Sequence, residues 1–130
     1  MAWQIDWHVP TRIFFMKLIG DLTIDDLHRL VDEELDFIRN GDPPVHFIVD
    51  LREMGDYPIS ISELRRNLAL YNEPNLGWLM TLSNDRMVQY LSRVVSTLQR
   101  NRYRHFNGPD ELIEFIVRKD ESLPEVPPYS

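Results

Sequence analysis

The first residues alternate. In "WQIDWH", Trp3, Ile5 and Trp7 fall on one side of an extended chain and Gln4, Asp6 and His8 on the other. That period of two predicts a half-buried strand in antiparallel pairing. "VPTR" supplies a turn and "RIFFMKLIG" a second strand, so the pattern predicts an opening hairpin. The period then changes. In "GDLTIDDLHRLVDEELDFIRNG", Ile24, Leu27, Val31, Leu35 and Ile38 recur at three- and four-residue steps, the apolar stripe of a helix. Thr23 is placed to cap its start, and Asp25 and Asp26 sit where the helix dipole favours anions. Arg39 and Gly41 mark its end.

"PPVHFIVDL" is short, apolar and β-branched, and predicts a strand in the buried middle of a parallel sheet. "SISELRRNLALY" predicts a short helix with Ile61, Leu64, Leu68 and Tyr71 on one side. "LGWLMTLS" predicts a strand, and "NDRMVQYLSRVVSTLQR" a helix with the stripe Met87, Leu91, Val94, Val95 and Leu98. "RYRHFN" predicts a fifth strand and "GPDELIEFIVRK" a last helix, with Pro109 in its first turn. The expected order is β-β-α-β-α-β-α-β-α, an α/β domain with a mixed, mostly parallel, five-stranded sheet and flanking helices. No repeat or long linker interrupts it. Residues 1–119 read as one domain, and 120–130, "DESLPEVPPYS", as an acidic, proline-rich flexible tail.

Composition narrows the function. A chain of 130 residues suits one domain with a real core. No apolar run approaches the roughly 20 residues of a membrane span, and "MAWQIDW" lacks the basic start of a signal peptide. The expected location is the cytoplasm, without membrane insertion. The absence of cysteine removes disulfides, thiolate catalysis and thiolate-bound metals. The net charge of -7 argues against a nucleic-acid partner and against docking on an anionic bilayer. His8, His28, His46 and His105 show no metal-ligand spacing, and no glycine-rich phosphate loop is present, so no cofactor is expected. His46 and His105 lie on predicted strands that can bring them together. Arg86, Arg93, Arg100, Arg102 and Arg104 form the one basic cluster, either a solvated face or an interaction face for an acidic partner or the acidic tail. Trp3, Trp7 and Trp78 read as core or sheet-face packing, or as an interface if exposed.

The order of these elements resembles the STAS family, the anti-sigma-factor-antagonist-like domains of SpoIIAA-like fold. "GDLTIDDL" from Gly20 resembles the family's lead into its first helix. "HFIVDLREM" from His46 resembles its buried strand ending in "DL", and "RHFNGPDELIEFI" its late strand and final helix. The resemblance covers nearly the whole chain. It implies a non-catalytic bacterial regulatory module, bound to a protein partner through the loop and helix after the third strand. A kinase-like or sigma-regulatory protein is the implied kind of partner, and a homodimer is compatible with it. The family's regulators place an Asp-Ser-Ser-Gly-like turn after "DL", with a phosphorylated serine. Here "DYPISIS" stands in its place, so any switch is a degenerate one. Asp56, Tyr57, Ser60 and Ser62 are the expected contact or switch residues.

Ser60 supports two readings. "SISE", residues 60–63, matches a capping box, in which a serine oxygen accepts from a helix amide and a glutamate reaches back. A phosphate there would meet the same amides and the dipole, with Asp56 and Glu63 opposing it. Two other functions stay open. One is a small apolar-ligand carrier with a pocket between sheet and helices. The other is a small enzyme on the C-terminal rim of the sheet, where Asp50, Ser83, Asn84, Asp85 and Asn107 would lie. The same residue types are ordinary helix caps and turn formers.

Overall fold

The computed structural model describes residues 3–55, 73–83 and 102–130. Five strands, β1 (Trp3–Val9), β2 (Ile13–Gly20), β3 (Val45–Met54), β4 (Leu76–Leu82) and β5 (Tyr103–Phe106), form one sheet in the order β1-β2-β3-β4-β5. β1 pairs antiparallel with β2, and every later pairing is parallel. Two helices, α1 (Ile24–Asn40) and α2 (Pro109–Lys119), flank the sheet. The expectation of four helices alternating with strands is therefore corrected. Among the described residues the order is β-β-α-β-β-β-α, with two helices. The stripes that suggested the other two fall in residues 56–72 and 84–101, outside the described residues. A helical period is a weak guide on its own, because short helices draw their stability from packing rather than from propensity.

The hairpin closes through a turn in which Arg12 N–H donates to the Val9 carbonyl at 3.0 Å. Pro10 takes the first central position, and Thr11 the second with φ 65, the left-handed conformation a type II turn requires. A β-branched residue is strained there. Thr11 is held by its hydroxyl on the Asp42 carboxylate at 2.9 Å and by its carbonyl, which accepts from Asp42 N–H at 2.9 Å. α1 starts in a capping box: the Thr23 side chain accepts from Asp26 N–H, and the Asp26 carboxylate accepts from Thr23 N–H.

Strand alternation divides the interior into two layers. On the first face, Trp3, Phe14, Met16, Leu18, Phe47, Val49 and Leu79 pack against Leu27, Leu30, Val31 and Ile38 of α1. Phe14 stacks on Phe47 with centroids 4.2 Å apart, and on Phe37 of α1 at 5.2 Å. On the second face, Ile13, Ile48, Met80, Leu82 and Phe106 pack against Leu112, Phe115 and Ile116 of α2. Residues 120–130 lie against this second face, where Leu123 and Val126 pack partly and Tyr129 is buried.

Phe47 is fully buried in the middle of the first layer, so its truncation opens a cavity between β3 and α1. Phe47→Ala should lower the unfolding free energy by about 3–5 kcal/mol in urea titrations. A loss below about 1 kcal/mol would mean that this layer is not packed as described.

Candidate functional site

β3 is the strand from which the expected partner loop leaves. Its six residues from Val45 to Asp50 are all buried. The strand does not stop at Leu51, as the resemblance implies, but runs on to Met54 beside Ile19 and Gly20 of β2. Lys17 and Glu53 form an ion pair at 2.6 Å across this extension. Gly55 N–H donates to the Gly20 carbonyl at 2.7 Å. A Cβ on Gly55 would crowd the Asp21 carboxylate and lie 3.0 Å from the Gly20 carbonyl carbon, so the approach favours glycine. These contacts make a firm stem up to residue 55. Asp56, Tyr57, Ser60 and Ser62 follow it and lie outside the described residues.

The rim residues are separated by the fold. Asp50 and Ser83 are both fully buried. Asp50 pairs with Leu82, and alternation turns Asp50 to the second face and Ser83 to the first. Ser83 N–H donates to the Phe106 carbonyl at 3.1 Å, continuing the β4–β5 ladder. Asn107 is exposed just past β5, and Asn84 and Asp85 lie outside the described residues.

Asp50 is enclosed by its own chain. Arg52 grips both its oxygens, at 3.0 and 2.8 Å, and the Tyr129 hydroxyl donates to it at 2.9 Å. Arg52 also donates to the Ser130 carbonyl at 3.0 Å and lies over the Tyr129 ring, 5.8 Å from its centroid. Burial alone would raise the Asp50 pKa. The side-chain and backbone hydrogen bonds from Arg52, with that from Tyr129, outweigh it and hold the carboxyl below its ordinary value. Burial pushes the Tyr129 phenol up, and the neighbouring carboxylate adds to that, so the phenol stays protonated and donates. His8 completes the seat, its ring 5.4 Å from that of Tyr129 and its Nε2 2.8 Å from the Pro127 carbonyl.

A second polar knot lies where β3 begins. Trp78 N–H donates to His46 Nδ1 at 2.9 Å, which makes Nε2 the protonated nitrogen of the neutral ring, and Nε2 donates to Asp120 at 2.8 Å. Gly77 gives the imidazole its room: a Cβ there would come within 2.5 Å of the ring. Asp120 also accepts from Arg12 at 2.9 Å and from the Ser122 amide and hydroxyl. Burial pushes the His46 pKa down, only partly offset by Asp120. For Asp120, burial is outweighed by hydrogen bonds from Ser122 and His46, which bring its pKa down to about 2.

A serine, a histidine and an aspartate thus meet, but not in a catalytic order. The Ser122 hydroxyl donates to Asp120 rather than to the imidazole, and the nitrogen that would take its proton is occupied by Trp78. His105 contributes nothing to this knot. It pairs with Thr81 on the first face, its Nδ1 2.9 Å from the Thr81 hydroxyl, while His46 points to the second. Among the described residues no group of three potential metal ligands occurs, and no helix is long and apolar enough to cross a membrane. Tyr129 and Asp120 were not legible as anchors, because their partners lie 79 and 74 residues away and leave no local pattern.

Two solved structures share this architecture. An uncharacterized protein of the DUF3478 family, with a SpoIIAA-like fold, from Shewanella loihica PV-4 is 13% identical, with a TM-score of 0.65 over 88% of this chain and 91% of that one. The anti-sigma factor antagonist SpoIIAA in its unphosphorylated form is 15% identical, with a TM-score of 0.60 over 90% of this chain and 97% of that one. The resemblance to the STAS family read from element order holds at the level of the fold, which is SpoIIAA-like. No protein-family model matches the chain, and no curated protein matches its sequence.

The two knots should set the acid limb of stability. Asp120 and Asp50 have folded pKa values below their unfolded ones, so their contribution is present above about pH 4 and falls away in acid, for Asp120 as pH approaches about 2. His46, also lowered, adds a loss that begins below about pH 6.5. Asp120→Asn should be less stable than wild type at pH 7, and the gap should narrow between pH 4 and about 2. A gap independent of pH in urea midpoints would reject the Asp120 ion pair. Tyr129→Phe should cost about 1.5–3 kcal/mol, as for a hydrogen bond to a charged group, and an unchanged midpoint would show that the phenol does not hold Asp50.

Proposed function

We propose that the chain is a non-catalytic bacterial regulatory module of the cytoplasm, which binds a protein partner through the loop and helix that follow β3. The observation that carries this reading is the end-to-end likeness to an anti-sigma factor antagonist, over 90% of this chain and 97% of that one. The chemistry of the described residues supports it. The buried carboxylate Asp50, the half-buried Asp120 and the buried imidazole His46 are engaged in internal ion pairs and hydrogen bonds, which supports a structural rather than a proton-transferring role for them. The stem at Gly55 supports a rigid take-off for the segment that starts at Asp56. Asp56, Tyr57, Ser60 and Ser62 are the proposed contacts, with a kinase-like or sigma-regulatory protein as the proposed partner and Ser60 as the proposed site of a degenerate phospho-switch.

The test places a photo-crosslinking side chain at position 57, or at position 29 on α1 as the control, in the native host. Position 57 should trap one partner that position 29 does not. Tyr57→Ala and Ser60→Asp should each weaken that complex by about tenfold, as truncation or recharging of a central contact does. Equal trapping from both positions, or unchanged affinity in both variants, would reject the surface. Phosphosite mapping of the recovered chain decides the switch: phosphate on Ser60 or Ser62 supports it, and its absence from the partner-bound and the free chain rejects it.

A further inference from the structure

Of the nine described arginines and lysines, four are ion-paired; Arg29 and Arg102 are not, Arg102 donating to the Leu76 carbonyl at 3.2 Å, and three more gather in one place. Arg12, Lys17, Arg39 and Arg52 are in ion pairs with Asp120, Glu53, Glu73 and Asp50. Arg104, Arg118 and Lys119 are in none of these, although the chain carries a net charge of -7. All three line one groove of about 340 Å³ between β5 and α2, and Phe115 is its other lining residue. The Arg104 guanidinium stands 4.9 Å from the Phe115 centroid and 5.8 Å from that of Phe106. The Lys119 ammonium stands 5.7 Å from the centroids of both Trp78 and Phe115. Arg118 donates from Nε to the Glu114 carbonyl, which pins its stem along α2.

Two like charges therefore share one aromatic ring, with no carboxylate among the groove's described lining residues. The rings hold the cationic heads by their quadrupoles and give the groove an apolar floor. Three cations gathered without a described carboxylate between them make a local positive patch that favours an anion. A neighbouring hollow, shared at Arg104 and Arg118, is lined by Glu111 and Glu114, so the anion-favouring zone is short and bounded by like charge. The acidic segment 120–130 of the same chain is not the occupant. Its anchors are Arg12, His46 and Arg52, away from this groove.

We propose that this groove docks a short acidic peptide segment of a partner protein, its carboxylates over Arg104, Arg118 and Lys119 and an apolar side chain on Phe115. The short span bounded by Glu111 and Glu114 and the negative net charge disfavour a nucleic-acid backbone, whose binding rests on many phosphate contacts along a basic track. The site is independent of the loop after β3.

The probe is a fluorescein-labelled heptapeptide of glutamates with two leucines, read by anisotropy on the full chain, with a glutamine-for-glutamate peptide and a thymidine oligonucleotide as competitors. Wild type should bind the glutamate peptide, more weakly as salt rises. Arg104→Gln combined with Arg118→Gln should weaken binding by about tenfold, while Arg29→Gln combined with Arg39→Gln, which removes the same charge from α1, should change it by less than about twofold. Tyr57→Ala should leave it unaltered, so that failure here and failure of the partner loop are told apart. The proposal is overturned by no binding at about 1 mM protein, by equal losses in both double variants, or by equal competition from the glutamine peptide. It is also overturned if the oligonucleotide displaces the peptide more strongly than unlabelled glutamate peptide does. Both double variants change exposed positions, and an unaltered urea midpoint verifies that each is folded.

Discussion

Six consecutive residues of β3, from Val45 to Asp50, are buried with helix or chain on both faces, and two of the six are ionisable. A polar group in that position is costly unless every bonding site finds a partner, and the sheet itself satisfies only the backbone. The rest of the second face answers this demand. His46 takes the Trp78 amide on one nitrogen and Asp120 on the other. Asp50 takes Arg52 and Tyr129. Gly77 lacks a side chain where the imidazole lies, and the chain after α2 turns back to bring Asp120 and Tyr129 to their places. Two side chains on one strand thus anchor the segment from residue 120 to residue 130.

The elements that local chemistry specifies were legible. The hairpin follows from alternation and Pro10, α1 from its stripe and Thr23, and the start of α2 from Pro109. The extension of β3 to Met54 was not, because "REM" is polar and reads as loop until Gly20 is known to lie beside it. The segment 120–130 was read as a flexible tail from its prolines and charges. Among its contacts with the sheet, those of Tyr129 with Asp50 and of Asp120 with His46 are ones that no periodicity announces. The arginine cluster was legible only in part. Arg86, Arg93 and Arg100 lie outside the described residues; among those described, Arg104 has Arg118 and Lys119 of α2 beside it, joined to it through Phe115 rather than through sequence. Stripes at 61–71 and 87–98 gave the expectation of four helices, whereas two flank the sheet among the described residues.

The same division separates two kinds of polar chemistry. On the second face Asp50 and Asp120 are held ionised against hydrogen-bond donors and His46 is held neutral, each with its pKa displaced in that direction. Arg104, Arg118 and Lys119, in none of the ion pairs among the described residues, lie on α2 and at β5, at the far side of the sheet from β1.

The seat of Tyr129 also orders events in time. Synthesis runs from the amino end at roughly 5–20 residues per second. Asp50 and His46 therefore emerge from the ribosome several seconds before the phenol and the carboxylate that enclose them, which stand 79 and 74 residues further on. Until then the second face of β3 must keep its water. The nascent sheet can layer its first face on α1 early, but the domain closes only when its last segment has been delivered.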